Sequence, residues 1–471
     1  MRVLAFLLLL ACSPAWGTTW YVNSSAASGG NGTSGTPWNA FSGITGLTAG
    51  DTICISGTFD ETLTLVTGTS GNLMTYDFAC SGVAVGAIVR TGNNKGVTAT
   101  AAVEYTVLNE PQISAGSACV DYNQTTDNTQ GHHQITGGTL SYCSTHASAS
   151  TNPGVLVSAH DVVIDGTTII HVGDDAIRSS TTAGDMTIRN ATISAVSERT
   201  TTGDGVQHQS PSGALLLEDS VIRYTASSNQ AVVSTGAGAN IIRRNEFDGE
   251  GTGDEAFGFN MTGGSTVFEK NWIHDFDVYG ISANNASATT LTVRSNVFED
   301  LSDAVNLLSS SSGTYNVLNN TADRVVRFIV SAGTQTVTAT NNLIDCNVGG
   351  ACISKVTAST YSGTTNMFAD EFSGMFSHNA VTYSTLAAWV AGQSVDATSS
   401  IGALGVIGEY GPLAKRLLTT SAARRAGTVA GAYHDYRNCI FNTPPSIGAF
   451  EVCGGDPATT RTVATTRTAR W

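Results

Sequence analysis

Between residues 161 and 345 the chain repeats itself. Short β-branched runs end in a polar residue: Asp165 in DVVIDGTTI, Asn190 in DMTIRNATI, Asp219 in ALLLEDSVI and Asn245 in NIIRRNEF. The series continues with Asn271 in TVFEKNWI, Asn296 in LTVRSNVF, Asn320 in YNVLNNTA and Asn342 in TVTATNNLI. Successive members are 25, 29, 26, 26, 25, 24 and 22 residues apart. A unit of that length cannot bury an apolar face alone. Stacked units build one continuous core, so the pattern predicts a solenoid.

Each unit divides into three short strands. In one coil Thr266-Val267-Phe268 precedes Asn271, Trp272-Ile273 follows it, and Tyr279-Gly280-Ile281-Ser282 closes the turn. The closing strand recurs as Asp175-Ala176-Ile177-Arg178, Asp204-Gly205-Val206-Gln207, Gln230-Ala231-Val232-Val233, Glu255-Ala256-Phe257-Gly258 and Asp303-Ala304-Val305-Asn306. Hydrophobic residues make up 41% of the chain and charged residues 13%. Their arrangement in short alternating runs predicts many strands rather than a disordered chain. The net charge of −15 argues against nucleic acid or an anionic membrane as partner. A polyanionic substrate would need a cation to offset the repulsion.

The apolar run from Val3 to Ala11, followed by Ala15-Trp16-Gly17, predicts a secretory signal peptide over residues 1–17. It is too short to span a bilayer. Leu10-Ala11-Cys12 is similar to a lipoprotein cleavage box, which stands as the alternative. No other stretch predicts a membrane span, so the expectation is a monomer, secreted or periplasmic. Eight cysteines follow the leader, an even number that predicts disulfides in an exported chain. Cys54 and Cys80, and Cys119 and Cys143, are each about one repeat apart. Strands stacked about 4.8 Å apart fit a disulfide between neighbouring coils. Cys346–Cys352 and Cys439–Cys453 would close locally. No Cys/His spacing fits a zinc site. The adjacent His132 and His133 read as a turn or strand start, with a metal pair as the alternative.

The chain opens on Trp20-Tyr21-Val22, a Gly/Asn/Ser loop, Pro37-Trp38 and Gly50-Asp51-Thr52-Ile53, and closes on HDYRNCIFNTPPSIGAFE at residues 434–451. With the repeat, these segments resemble the secreted right-handed parallel β-helix proteins of the pectate-lyase-like superfamily, over most of residues 18–453. The resemblance implies an all-β, single-stranded right-handed parallel β-helix over 18–395 and a C-terminal cap at 396–453; YSTLAAWVAGQ at 383–393 reads as a short helix, and the Thr/Arg/Ala-rich residues 454–471 as a flexible tail. The resemblance also implies that the Asp/Asn column is an internal asparagine ladder, which is structural.

In that superfamily a polysaccharide groove lies along the closing strand and the loops before it. Carboxylates collect there: Asp174 and Asp175; Glu198 and Asp204; Asp248, Glu250, Asp254 and Glu255; Asp275 and Asp277; Asp300 and Asp303. A single Asp before Gly or Ala caps a tight turn, the reading for Asp277 and Asp303. Asp174, Asp175 and Asp204 sit on neighbouring coils, where they would raise one another's pKa or bind a cation.

Three functions fit. A lyase acting on an acidic polysaccharide would hold Ca2+ on Asp174, Asp175 and Asp204, and take its base from Arg178, Arg199 or His208. Gln207, Glu198 and Asp254 would contact substrate. Arg as base is what the resemblance implies; Arg178 also reads as a plain ion-pair partner of Asp174 or Asp175. A hydrolase would use the same carboxyls as acid and base, since HVGDDAIRSS is similar to the Gly-Asp-Asp segment of polygalacturonase-type glycosidases. The chain departs from that type, having no preceding Asn-Thr-Asp and no Gly-His-Gly on the next coil. A glycan-binding β-helix without catalysis is the third. The long loop SERTTTGD at 197–204 beside the groove favours an enzyme, with the lyase first. Arg189, Arg243, Arg244 and Lys270 read as solvated surface, and His171 and His274 as secondary candidates.

Overall fold

The computed structural model describes residues 17–451 apart from 124–130, 148–151, 200–202, 224–229, 260–263, 285–288, 309–311, 348, 370–371, 373, 403–405, 408–415, 418–420, 429–434, 438 and 440–444. Residues 1–16 with Cys12, the 454–471 tail and Cys453 lie outside the described residues, as do the side chains of 251–254 and 259.

Each coil contributes a strand to three parallel layers, which we call the first, second and third sheets. In one coil these are Met186–Arg189, Thr192–Ser194 and Val206–His208. Each pairs in parallel with its counterpart a coil away. The β-branched runs form strands because alternate residues can point inward and stack on like residues. Along the first sheet, Ile188, Leu217, Ile242, Phe268, Val293, Val317 and Ala339 share one register. All are fully buried or nearly so. Cα register and core are thereby set together, since a slip of one residue would turn the apolar set outward.

The corner between the first and second sheets explains the repeat's polar residue. Asn190, Asp219, Arg244, Lys270, Ser295, Asn319, Asn341 and Thr365 all adopt left-handed backbone, with φ from 52° to 58°. The residue after each stands at the ladder position. From Asn245 onward that residue is asparagine. The backbone N–H of Asn245, Asn271, Asn296, Asn320 and Asn342 donates to the side-chain oxygen of the asparagine on the next coil at 2.9–3.0 Å. Each amide NH2 in turn reaches a carbonyl of the preceding coil, as Asn271 does to Ile242.

The first three members of the sequence series fall elsewhere. Asn190 and Asp219 occupy the left-handed corner, and Asp165 pairs in register with Arg189, one place before it. The ladder position in those coils holds the buried Thr167, Ala191 and Ser220. The ladder ends on Asn366, whose NH2 meets Asp396 at 3.0 Å.

The cations at this corner are paired rather than simply solvated. Asp165, Arg189, Glu218, Arg243, Glu269 and Arg294 share one register and alternate in sign. Arg189, Arg243 and Arg294 each bond the carboxylate one coil earlier, and Arg244 bridges Glu218 and Asp219.

The last coil is closed by the helix Leu386–Gln393, capped by the Thr385 side chain. Its Trp389 is buried against Phe376 and Tyr383 and donates to Asp396 at 3.0 Å. Among the described residues of 421–451, Gly448 N–H donates to the Asn341 carbonyl of an earlier coil. Ala449 N–H donates to the Thr321 hydroxyl, and Ala449 and Phe450 pack on Trp272 and Val297.

Disulfides join Cys54 to Cys80, Cys119 to Cys143 and Cys346 to Cys352; Cys439 is also disulfide-bonded. Such bonds fit an extracellular or periplasmic protein. No helix among the described residues is long and apolar enough to cross a membrane.

Candidate functional site

The third sheet carries the site. Ile177, Val206, Val232, Phe257, Ile281, Val305 and Ile329 point inward in one register. Two places earlier on each coil stand Asp175, Asp204, Gln230, Glu255, Tyr279, Asp303 and Arg327, a polar row at the mouth of the loops. One place later stand Arg178, Gln207, Val233, Gly258, Ser282 and Asn306, facing outward.

Asp174, Asp175, Asp204, Arg178 and Gln207 come together in one network. Asp175 Oδ1 accepts the backbone N–H of Asp204 at 2.7 Å, and its Oδ2 lies 3.1 Å from the Arg178 guanidinium. Asp174 Oδ2 lies 3.6 Å from the same nitrogen. Asp204 Oδ1 accepts the Gln230 N–H at 3.1 Å, and its Oδ2 accepts from the Gln207 amide at 3.2 Å. The close approach of coils is set by Gly203, where a Cβ would stand 2.5 Å from the Asp174 carbonyl carbon.

The three carboxyls are 2–5% exposed. Burial raises Asp175 to about 6, with the Asp204 N–H opposing and the Asp174 charge reinforcing it. Burial, then the charge of Asp175, raises Asp204 to about 8. Burial thus pushes both carboxyls up, Asp204 further than Asp175, the direction in which one member of a pair serves as acid and the other as base.

Calcium fits this geometry poorly. The oxygen donors are of the right kind, yet among the described residues Asp174, Asp175 and Asp204 do not form a group whose ligand oxygens lie within 4.8 Å of one another. Two of the oxygens are taken by backbone N–H groups, and others by Arg178 and Gln207.

Three expected site residues are placed elsewhere. His208 is not available as a base. It alternates inward with Val206, is fully buried, and bonds Ser179 Oγ at 3.1 Å and the Gly213 carbonyl at 3.0 Å. Burial also lowers its pKa. Arg199 turns back to the carbonyls of Ser144, His146 and Ala147, bracing the loop of an earlier coil. Glu198 binds His171 at 2.7 Å, and that ring stacks on Tyr142. The side chain of Asp254 lies outside the described residues.

Asp303 is more than a turn cap. Buried, it is held by Arg327 and Asn306 at 2.7 and 2.6 Å. Asp277 is exposed within the strand Trp272–Ala283. Gln230 and Gln209 belong to the polar row and its surroundings, Gln209 donating to Gln207 at 2.9 Å. The repeat held a signal for Gln230, since Gln230-Ala231-Val232 aligns with Asp175-Ala176-Ile177.

Residues 183–365 match the family described as a right handed beta helix region. No curated protein matches the sequence. Among solved structures the chain is similar to XylC in complex with xylose, with a TM-score of 0.55 at 11% identity, covering 92% of this chain and 98% of that one. It is also similar to the PL6 family alginate lyase AlyGC, with a TM-score of 0.50 at 13% identity, covering 77% of this chain and 52% of that one. The chain thus spans about half the length of that lyase. Against pectate lyase Pel9A the TM-score is 0.41 at 14% identity, over 93% of this chain and 97% of that one. With XylC and AlyGC, at these identities, what is shared is the fold.

Fold and matched region together define a right-handed parallel β-helix protein. Its architecture is one solenoid of three parallel sheets, with an internal asparagine ladder and a polar row on the third sheet.

Proposed function

We propose that the protein cleaves a polysaccharide lying along the third sheet, and that the reaction is elimination on an acidic polymer. The observation that carries this reading is the Asp175–Asp204 pair on adjacent coils with Arg178 beside it: two buried carboxyls whose pKa is raised by burial, and one cation on the outward-facing row next to them. A guanidinium paired with carboxylates acts as a cation rather than a base, so Arg178 meets the uronate carboxylate. The ionised Asp175 takes the C5 proton, the C4–O bond breaks, a C4–C5 double bond forms, and Asp204 protonates the departing oxygen. Gln207, Gln230 and Asn306 supply neutral hydrogen bonds along the chain.

The same pair suits hydrolysis, and this is the second reading. In it Asp204 protonates the leaving oxygen and Asp175 activates water. Ca2+ is not used in either route; a calcium-assisted version would require Asp174 to turn toward its neighbours, and the assay tests it.

The experiment is incubation with uronate and neutral polysaccharides, with EDTA and with added Ca2+. Ultraviolet-absorbing unsaturated products support elimination. New reducing ends without that absorbance favour hydrolysis. Retention on a glycan with neither product overturns catalysis, and loss of activity in EDTA restored by Ca2+ would return the ion to the site.

A further inference from the structure

The structure separates the adjacent His132 and His133. His133 turns inward, stacks on Tyr122 at 4.3 Å between ring centres, and meets the Thr106 hydroxyl at 2.8 Å. His132 stays outside, at the corner that leads into the first sheet. By register, His132, Asp161 and Asp185 occupy the same place on three successive coils, and His160 precedes Asp161.

These side chains converge. Asp161 stands between two imidazoles, its Oδ2 3.1 Å from His132 Nδ1 and its Oδ1 3.0 Å from His160 Nδ1. His160, Asp161 and Asp185 each offer a ligand atom within 4.8 Å of the others. His160 Nδ1 is buried and makes no hydrogen bond, despite that 3.0 Å approach. The 3.0 Å separation of His160 Nδ1 and Asp161 Oδ1 is one that two ligands of a single ion can also adopt, each about 2.0–2.2 Å from the metal.

The rings are held before any ion arrives. His132 stacks on Tyr105 at 4.5 Å. His160 lies against Gly184, where a Cβ would stand 2.1 Å from its Cδ2. Asp185 is fixed by one oxygen, which accepts the Ala214 N–H at 2.8 Å; the other remains for a ligand.

We propose that His160, Asp161 and Asp185 bind a borderline divalent transition-metal ion, which joins two successive coils, with His132 holding the second oxygen of Asp161. An imidazole with two carboxylates suits zinc or a similar ion better than calcium. The location gives the staple a purpose. The asparagine ladder begins only at Asn245, and the ladder positions of these earlier coils hold Thr167 and Ala191. The coils around Asp161 therefore lack the buried asparagine ladder, although Asn190 donates to Asp165 across them.

The test uses untagged, disulfide-intact full chain, dialysed against EDTA and titrated with Zn2+ by calorimetry and thermal melting. One saturable Zn2+ site is expected, with a melting midpoint that rises on binding. His160→Ala, and independently Asp185→Asn, which keeps the bond to Ala214, should each weaken binding at least about tenfold, the scale seen when metal-site partners are removed. Asp185 is exposed, so its variant tests the site if His160→Ala does not fold. Absence of Zn2+ binding, or binding undiminished in Asp185→Asn, overturns the proposal, as does a preference for Ca2+ at these residues.

Discussion

Asp175 and Asp204, one coil apart, are joined side chain to backbone: Asp175 Oδ1 accepts the Asp204 N–H at 2.7 Å. The bond repeats when Asp204 Oδ1 accepts the Gln230 N–H. Each carboxyl thus uses one oxygen to close a corner of the solenoid and presents the other to Arg178 or Gln207. Structure and chemistry share the residue, and asparagine can replace the first role without the second.

Asp175→Asn and Asp204→Asn should therefore fold and melt cooperatively, while cleavage falls at least about 100-fold, the loss expected when an acid or base is removed. Circular dichroism and initial rates check the two halves separately. Full activity in both variants would move the chemistry off this pair.

The raised pKa of Asp204 makes stability depend on pH. It rises from 3.8 in the unfolded chain to about 8 in the folded one, so the folded state binds the extra proton between these values. Stability must fall as pH rises through that window. Asp204→Asn removes this term, and its melting temperature should decline less than the parent's between about pH 5 and pH 8.

His274 carries the opposite kind of group through a higher window. Burial disfavours its charge, but the hydrogen bond to Asp275 and the nearby carboxylates of Glu246 and Asp248 outweigh this and lift it from 6.5 to about 9. Its folded pKa is raised, so its contribution is complete below 6.5 and lost as pH climbs through 9. His274→Ala should cost about 1–2 kcal/mol near pH 6, since it removes a charged partner from the half-buried Glu246, Asp248 and Asp275. The difference should shrink at alkaline pH in denaturant titrations.

Arg178→Lys keeps the charge and loses the planar fork. If Arg178 meets a substrate carboxylate, KM should rise about tenfold, one lost charged hydrogen bond, with the fold unchanged. Arg178→Ala should be worse, and neutral polysaccharides should be insensitive to either change.

The ladder and the outer charge row give contrasting stabilities. Asn271 is fully buried and bonded to Asn245, Asn296 and Ile242. Asn271→Ala should cost about 3 kcal/mol by leaving several buried groups unsatisfied. Arg189→Ala breaks a half-exposed pair with Asp165 and should cost less than about 1 kcal/mol. Equilibrium unfolding of both variants gives the comparison.

The chain's period, its three-strand coils and its cysteine spacing are local regularities, and a stack of parallel strands is the form that buries them. The ladder from Asn245 to Asn342 is legible for the same reason. Asp165, Asn190 and Asp219 are not, because a polar residue beside a corner looks alike in sequence whether it stands in the left-handed corner, one place before it, or in the ladder. That distinction lies in backbone φ and register.

The site divides in the same way. Acidic residues before each closing strand mark the row of Asp175, Asp204, Glu255 and Asp303. Period-two alternation from Val206 already turns His208 inward, although its chemistry draws attention to it. What only the tertiary structure decided is which neighbours meet across coils. Arg178 lies against Asp174 and Asp175, while Arg199 bends away to the carbonyls of residues 144–147. The repeat dictates that coils stack; the loops between the second and third sheets vary in length and path, and they choose the partners of each side chain.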